Sequence, residues 1–308
     1  MDHPRVWLIT GTSSGFGRRL VSSVLLRGDR VIASARTIGS IRNIFPSYDS
    51  DRLRLLELDV SADEETLRSK VQEALGFWGR IDVLVNNAGY SLKVLAEDAR
   101  LADFQNQFQT NFYAPAILTN AVLPQMRSRK EGTIVMIGSR SSWNPIPVTL
   151  YGASKAALRV YTEGLAHELS SSGFSHIRLI IFEPSSFRTE KTVLGFPMQV
   201  PSPNPDPAYD DLRARIQASL EALDLNQSGD PDKAVGVIVD VVRGEGCAEG
   251  KEGKEGKELK EWPLYVPLGK EANRDIEAKC KTMLGAVERW REVTDHLEFD
   301  SERGRDSK

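Results

Sequence analysis

A tyrosine and a lysine stand four residues apart at the start of a segment with helical periodicity. Apolar residues recur at helical spacing through 150–169, so Tyr151 and Lys155 are predicted to share one face of a helix. A phenol beside an ammonium group suits acid and base catalysis, because the positive charge favours the phenolate and lowers the pKa of the tyrosine. An ordinary helix with one aromatic residue and one surface lysine gives the same pattern, so the rest of the chain must decide.

A glycine-rich turn near the N-terminus could bind a nucleotide. Residues 6–10 form an apolar run typical of a buried strand, the turn 11–17 follows, and an amphipathic segment begins near Leu20. Glycines let the backbone approach a pyrophosphate, and the next helix offers N–H groups and the positive end of its dipole. The spacing is Gly-x-x-x-Gly-x-Gly, and its position after a strand favours dinucleotide binding over a plain turn.

An arginine follows the second predicted strand, where a nucleotide ribose is often held. Folds that bind NAD often place an acidic residue here for the ribose 2′-hydroxyl, whereas an arginine matches a 2′-phosphate. The strand 30–35 is followed by Arg36, and residues 31–36 contain no acid. Arg36 therefore favours NADP(H), although a solvated arginine in a loop gives the same sequence.

Strand and helix patterns alternate along most of the chain, which predicts a doubly wound parallel sheet. Strands are predicted at 6–10, 30–35, 53–58, 81–85, 132–137, 176–182 and 264–266. Helices are predicted at 63–77, 101–126, 150–169, 209–223, 232–242 and 270–293, with Pro115 interrupting the second of these and Pro124 ending it. We expect one domain over 1–308.

Two segments depart from this rhythm. Residues 190–230 are rich in proline and form a predicted substrate lid, in which Phe196, Met198 and Tyr209 suit a bulky apolar molecule, although packing explains these residues equally well. Residues 244–258 repeat glycine, lysine and glutamate, a composition typical of a disordered loop.

The composition argues against nucleic-acid and membrane partners. The chain of 308 residues is 40% hydrophobic, and its net charge of −3 and pI near 5.9 lack the basic bias of a nucleic-acid binder. No apolar run is long enough to span a membrane, and the N-terminus has no signal-peptide pattern. Cys247 and Cys280 indicate no disulfide framework, and the histidines have no metal-ligand spacing. We expect a soluble, cytoplasmic protein without a metal.

The motifs, taken in order, resemble the short-chain dehydrogenase/reductase family over about 6–189. They are Thr10-Gly11-x-x-x-Gly15-x-Gly17, Asp59-Val60, Asn86-Asn87-Ala88-Gly89, Asn111, Ser139, Tyr151-x-x-x-Lys155 and the stretch from Pro184 to Thr189. Together with Arg36, the last stretch is most similar to NADP(H)-using steroid and retinol dehydrogenase-like members, including fungal ones. The resemblance implies a three-layer α/β Rossmann fold with about seven strands.

The resemblance also implies catalytic roles. Tyr151 is the general acid in carbonyl reduction and the base in alcohol oxidation, while Lys155 lowers its pKa and holds the nicotinamide ribose. Ser139 polarises the substrate oxygen, and Asn111 holds a water that links Lys155 to solvent.

The resemblance implies that NADP(H) lies along the predicted crevice, with its nicotinamide at one end and its adenine at the other. Phe187 and Thr189 position the nicotinamide, Asp59 and Val60 flank the adenine, and Asn86 contacts the adenine ribose. The full implied set is Gly11, Thr12, Ser14, Gly15, Phe16, Gly17, Arg36, Asp59, Val60, Asn86, Ala88, Gly89, Tyr151, Lys155, Phe187 and Thr189.

Two departures from the family pattern concern this site. Ser139 precedes Tyr151 by twelve residues, one fewer than is common, so Ser141 and Ser142 are rival candidates. Ser185 replaces the glycine that usually follows the proline, which affects the turn beside the nicotinamide.

We therefore expect an NADPH-dependent enzyme that interconverts a ketone or aldehyde and an alcohol on a small, bulky apolar molecule, such as those of secondary metabolism. The alternative is a non-redox cyclase or isomerase that keeps the NADP(H) pocket. A nucleotide sensor is less favoured, because a sensor needs no proton relay. A homo-oligomer is compatible with the sequence.

Overall fold

Continuous apolar runs form buried strands at the centre of the protein. In the computed structural model, which describes residues 3–45, 51–145, 148–189, 205–223, 226–248 and 262–299, every residue of Val6–Ile9 and Gly132–Ile137 is buried. Strands of this kind need apolar cover on both faces, and a sheet between two layers of helices provides it.

Within the described ranges, seven parallel strands form one sheet. They are β1 (Val6–Ile9), β2 (Arg30–Ala35), β3 (Leu53–Glu57), β4 (Val83–Asn86), β5 (Gly132–Ile137), β6 (Ile177–Pro184) and β7 (Tyr265–Leu268). Their order across the sheet is β3-β2-β1-β4-β5-β6-β7. The strand order reverses between β1 and β4, and open α/β sheets bind ligands in the crevice at such a point. The predicted three-layer, doubly wound α/β fold is confirmed.

Helices cover both faces of the sheet. They are α1 (Gly15–Leu26), α2 (Gly39–Arg42), α3 (Glu64–Trp78), α4 (Leu101–Phe108), α5 (Ala114–Arg129), α6 (Thr149–Ser171), α7 (Asp210–Leu223), α8 (Pro231–Arg243) and α9 (Lys270–Thr294). Side chains of α1 and α8 share one core with alternate residues of the strands, and those of α3, α5 and α6 share the other. This alternation fixes which strand residues point into which layer.

The long helix predicted at 101–126 is divided, but the division is not at Pro115, where the sequence predicted it. A π-helical turn, Gln109–Tyr113, joins α4 to α5 and lies before Pro115. Pro124 is inside α5, which continues to Arg129 and ends where Lys130 adopts a φ of 55°. The proline is tolerated because α5 is a surface helix, and Asn120, four residues earlier, is exposed and can have its carbonyl solvated.

The C-terminal helix begins beside the loop that follows β6. The N–H of Ala272 donates to the hydroxyl of Ser185 at 2.9 Å, and the N–H of Ser185 donates to the carbonyl of Leu268 at 2.9 Å. A Cβ on Gly269 would lie 2.8 Å from that hydroxyl oxygen, so glycine permits the contact. Ser185, in place of the usual glycine, thus ties this loop to α9.

The two irregular segments are only partly described. The first part of the predicted lid, 190–204, which includes Phe196 and Met198, lies outside the described residues, whereas the helix predicted at 209–223 is confirmed as α7. The disordered loop predicted from 244 is wrong for 244–248, which is ordered and includes a short turn, Gly246–Ala248. Asp240 accepts a hydrogen bond from the N–H of Cys247 at 3.2 Å, which fixes this turn. The remainder, 249–258, lies outside the described residues.

No helix among the described residues is long and apolar enough to cross a membrane.

Candidate active site

The glycine turn after β1 is built for close backbone contact. Gly11 has a φ of 69° and Gly15 a φ of 59°, a region that side chains disfavour. A Cβ on Gly17 would lie 2.3 Å from the carbonyl oxygen of Gly11, so the turn cannot close with a larger residue there. Ser14 is the N-cap of α1, with no side-chain cap bond within the described structure. The turn therefore presents a helix N-terminus at the switch point, which fits the pyrophosphate of a dinucleotide.

The turn is joined to the ends of the neighbouring strands. Thr12 is buried, and its N–H and hydroxyl both donate to the carbonyl of Ser34, at 2.9 and 3.1 Å. The Thr12 hydroxyl therefore faces β2. On the other side, the Asn87 amide donates to the carbonyls of Thr10 and Gly11 at 2.7 and 3.2 Å. Asn87 was not among the predicted contacts, although its position in Asn86-Asn87-Ala88-Gly89 could have indicated this role.

A second loop meets the glycine turn from the far side of the crevice. The rings of Phe16 and Phe187 pack edge to face with centroids 5.2 Å apart. A Cβ on Gly15 would lie 3.9 Å from the side chain of Thr189. The structure thus brings together the predicted contacts for pyrophosphate and nicotinamide.

The predicted adenine side is an open edge beyond β2 and β3. Arg36 is exposed directly after β2. Asp59 accepts from the N–H and hydroxyl of Ser61 at 2.9 and 2.8 Å, and Val60 is buried beside it. These three residues lie at the carboxyl ends of adjacent strands, where an adenosine moiety could bind.

Asn86 does not reach this crevice with its side chain. It is buried, and its amide donates to Thr119 at 3.1 Å and to the sulfur of Met136 at 3.3 Å. Because successive strand residues point to opposite faces, Asn86 faces the α5 layer. The predicted contact with the adenine ribose would therefore fall to the backbone of Asn86. Ala88 and Gly89, which follow the strand, are at the crevice.

Ser139 is the serine that contacts the tyrosine. Its side chain lies close enough to the Tyr151 phenol to lower the pKa of that phenol. The rivals have other partners, since the N–H of Ser141 donates to the Ser139 hydroxyl at 3.1 Å and the Ser142 hydroxyl donates to Glu183 at 3.4 Å. The twelve-residue spacing therefore accommodates a serine–tyrosine pair at Ser139.

Burial, rather than Lys155, dominates the titration of Tyr151. Desolvation raises the pKa of the phenol, the Ser139 side chain lowers it, and the charge of Glu183 raises it, with a net rise. The ammonium of Lys155 lies 6.0 Å from the tyrosine ring centroid. The prediction that Lys155 lowers this pKa is therefore not met in the structure, because the sequence pattern does not reveal the desolvation of the half-buried Tyr151.

Lys155 is enclosed by the ends of two strands. It is 4% exposed, and its ammonium donates to the carbonyl of Ile137 at 2.7 Å. Burial lowers the pKa of Lys155 to about 8, against the opposing influence of Glu183. A Cβ on Gly89 would lie 3.5 Å from the ammonium and 3.2 Å from the Asn111 side-chain oxygen. Gly89 therefore marks the point where the crevice meets the catalytic residues.

Asn111 lies within the π-helical turn and is fully buried. Its amide donates to the carbonyl of Tyr90 at 2.9 Å and to the hydroxyl of Ser154 at 3.1 Å, and its oxygen accepts from the N–H of Tyr90 at 3.2 Å. Ser154, next to Lys155, was not predicted as part of the site. These bonds fix Asn111 beside Lys155, and π turns often occur at such functional positions.

Comparison with known proteins agrees with this geometry. The family model described as short chain dehydrogenase matches residues 5–195. The oxidoreductase BOA17 of Botryotinia fuckeliana is 29% identical over 294 residues, which cover 94% of this chain and 98% of that protein.

Solved structures share the same architecture, and the first also shares sequence. A short-chain dehydrogenase from Streptomyces avermitilis is 30% identical with a TM-score of 0.78, covering 96% of this chain and 100% of that one. A family member from Burkholderia phymatum, solved in complex with NAD, has a TM-score of 0.73 at 19% identity and covers 96% of this chain and 98% of its own. Since the family model spans more than half of its length, the chain belongs to the short-chain dehydrogenase family of oxidoreductases.

Proposed function

We propose that this protein is an NADP(H)-dependent oxidoreductase that interconverts a carbonyl and an alcohol, with Tyr151 as the general acid and base. The observation that carries the proposal is the placement of Ser139 next to the Tyr151 phenol, where it lowers the pKa of the phenol, and beside the buried Lys155. A substrate oxygen next to both hydroxyls would accept hydrogen bonds from each, which polarises the carbonyl and holds it for proton transfer.

The protonation of Tyr151 favours reduction at neutral pH. Because burial raises the pKa of the phenol, Tyr151 is a proton donor under these conditions. Bound NADPH would supply the hydride to the carbonyl carbon, and Tyr151 would give its proton to the carbonyl oxygen. Lys155, with a pKa of about 8, can then return a proton toward the tyrosine near neutral pH. Asn111 and Ser154 would hold the route by which Lys155 is reprotonated from solvent.

Arg36 supports the choice of NADP(H). It is exposed directly after β2, and the hydrogen bonds from Thr12 to Ser34 place this strand end beside the glycine turn. A 2′-phosphate on the adenine ribose would meet the guanidinium there. The fold alone does not select the cofactor, because the Burkholderia phymatum protein of the same fold was solved with NAD.

Aromatic residues around the site support an apolar substrate. Tyr90 is 39% exposed beside Asn111, and Trp143 is partly exposed after the Ser139 turn. Tyr90 offers a flat apolar surface where a ring or long chain could pack, whereas Arg159 covers one face of Trp143. We infer that the substrate is a small molecule with a bulky apolar group next to the carbonyl.

The test is carbonyl-dependent oxidation of NADPH. The protein would be mixed with NADPH and a panel of apolar ketones and aldehydes, from cyclohexanone and decanal to steroid ketones, and absorbance of the reduced nicotinamide would be followed. We expect turnover that falls by roughly 10²–10⁴-fold in Tyr151→Phe, with NADPH alone as the blank. NADPH binding without carbonyl-dependent oxidation across the panel would contradict the proposal and favour a non-redox cyclase or isomerase.

A further inference from the structure

A buried carboxylate lies behind the catalytic residues and has no role in the mechanism above. Glu183 is on β6, directly before Pro184, and is fully buried. One of its oxygens accepts from the N–H of Ser139 at 2.5 Å. The other accepts from the indole N–H of Trp143 at 3.2 Å and from the Ser142 hydroxyl at 3.4 Å. A single carboxylate therefore accepts hydrogen bonds from three residues of the turn that carries Ser139.

The pairing of β5 with β6 places this carboxylate beside the end of β5. Ile137 on β5 pairs with Phe182 on β6, and the N–H of Gly138 donates to the carbonyl of Phe182 at 2.8 Å. A Cβ on Gly138 would lie 2.5 Å from the nearer Glu183 oxygen. Only glycine therefore leaves room for the carboxylate to cross to β5 and meet the N–H of Ser139.

The charged and titratable groups that act on Glu183, among the described residues, come from α6. Lys155 and Arg159 both lower its pKa, as do the bonds from Trp143 and Ser139, but burial outweighs them and raises it to about 7. The guanidinium of Arg159 stacks 4.4 Å from the Trp143 ring centroid. In return, Glu183 raises the pKa of both Lys155 and Tyr151. The carboxylate thus acts on two of the catalytic groups and is bonded to the backbone of a third.

We propose that Glu183 is a positioning residue of the catalytic site, which holds Ser139 against Tyr151 and supplies the negative charge that keeps Lys155 protonated. This inference deepens the proposed function and rests on it. The first role depends on where the carboxylate lies, and the second depends on its charge. Two substitutions can separate the two roles.

Glu183→Gln removes the charge at nearly constant size, and Glu183→Asp keeps the charge but withdraws the carboxylate by one methylene. Glu73→Gln, on the exposed surface of α3, makes the same change in net charge away from the site and is the matched control. The first readout is the titration of Lys155, followed by NMR of lysine labelled at its ε-carbon and identified by the signal lost in Lys155→Met. The second is kcat for cyclohexanone reduction and cyclohexanol oxidation across pH.

In Glu183→Gln, the pKa of Lys155 should fall by about one unit or more from its wild-type value near 8, because the opposing charge is gone. The rising limb of alcohol oxidation should shift to lower pH in the same variant, since the pKa of Tyr151 also falls. Glu183→Asp should leave the pKa of Lys155 near its wild-type value. It should nevertheless lower kcat roughly tenfold, which corresponds to an activation free energy higher by about 1.4 kcal/mol, because Ser139 is no longer held in place. Glu73→Gln should change neither readout.

An unmoved Lys155 titration in Glu183→Gln, or wild-type kcat in Glu183→Asp, would overturn the inference. If Glu183→Gln does not fold, Glu183→Asp alone tests the inference. A reduced kcat with unchanged NADPH affinity and melting temperature would then support the positioning role. The NMR readout needs no substrate. A protein that lacks carbonyl reduction but shows the Lys155 shift would therefore refute the proposed function while retaining the electrostatic link.

Discussion

The ammonium of Lys155 donates to the carbonyl oxygen of Ile137 over 2.7 Å, which joins the helix that carries Tyr151 to the end of β5. This carbonyl lies at the end of β5, and a buried carbonyl needs a hydrogen-bond donor. The lysine therefore satisfies the backbone at the position from which Gly138 and Ser139 continue. The link places the serine and the tyrosine–lysine helix in one rigid unit, and the predictions below test its parts.

Tyr151→Phe should lower the rate of carbonyl reduction by roughly 10²–10⁴-fold, the usual contribution of general acid catalysis. The ring remains, so the Kd for NADPH should change little. Single-turnover hydride transfer and NADPH binding are the measurements. Tyr161→Phe is the matched control, because this tyrosine is on the same helix and its hydroxyl donates to Asn120 at an exposed site. A wild-type rate in Tyr151→Phe would remove the tyrosine from the chemistry.

Lys155→Met should raise the melting temperature at pH 7. Burial lowers the pKa of Lys155 from 10.5 to about 8, so the folded protein binds fewer protons than the unfolded chain between these values. The buried ammonium therefore costs stability in full below pH 8, and the cost fades as the pH rises through that window. The orphaned carbonyl of Ile137 offsets part of the gain.

Melting curves of wild type and Lys155→Met from pH 6 to 10 check the sign, with Lys279→Met on the exposed face of α9 as control. We expect the stability advantage of Lys155→Met to shrink above pH 8. A difference that is constant with pH would show that the ammonium is not the cause.

Arg36→Asp should weaken NADPH binding much more than NADH binding, because it removes a cation that matches the 2′-phosphate and adds a repelling charge. Both cofactors would be titrated against wild type and variant by fluorescence. Arg42→Asp, another arginine exposed nearby, controls for the change in net charge. Equal NADPH affinity in wild type and Arg36→Asp would be inconsistent with the NADP(H) assignment.

Arg213→Met should loosen α7 and raise KM for the carbonyl substrate without changing NADPH affinity. The guanidinium forms a two-bond pair with Asp98, at 2.9 and 2.7 Å, and Asp98 is in the segment that leads from the site to α4. Removing one partner leaves Asp98 buried without this partner, which lowers the melting temperature.

The double variant Asp98→Leu/Arg213→Met is the control for that experiment. It removes both charges, so much of the lost stability should return. Limited proteolysis would show whether α7 has become more accessible. A double variant that is less stable than Arg213→Met would contradict the assignment of the pair as the source of the effect.

The sequence predicted the strands and the glycine turn well, because buried parallel strands are continuous apolar runs and Gly17 is required by contact with Gly11. It also predicted roles for Tyr151, Lys155 and Ser139, which lie together in the structure. These features follow from the order and spacing of residues within short stretches of the sequence, and the structure adds the distances between the side chains.

Other features depend on contacts between distant segments, which periodicity does not contain. The π turn forms around the bonds of Asn111 to Tyr90 and Ser154, so proline was a misleading guide to where the helix divides. The orientation of Asn86 depends on which face of β4 meets α5. The raised pKa of Tyr151 depends on burial by the whole domain.

The π turn at Gln109–Tyr113 also limits how this gene can change in length. The turn holds one residue more than an α-helical turn, so losing that residue would restore an α-helix, whereas an insertion or deletion at the start of α5 would rotate the rest of α5 by about 100° against the sheet. Leu118, Val122 and Met126, which are buried, would leave the core together. Within α5, single substitutions are therefore tolerable where small insertions and deletions are not, and natural length variation should be confined to the π turn and to the loops before α4 and after α5.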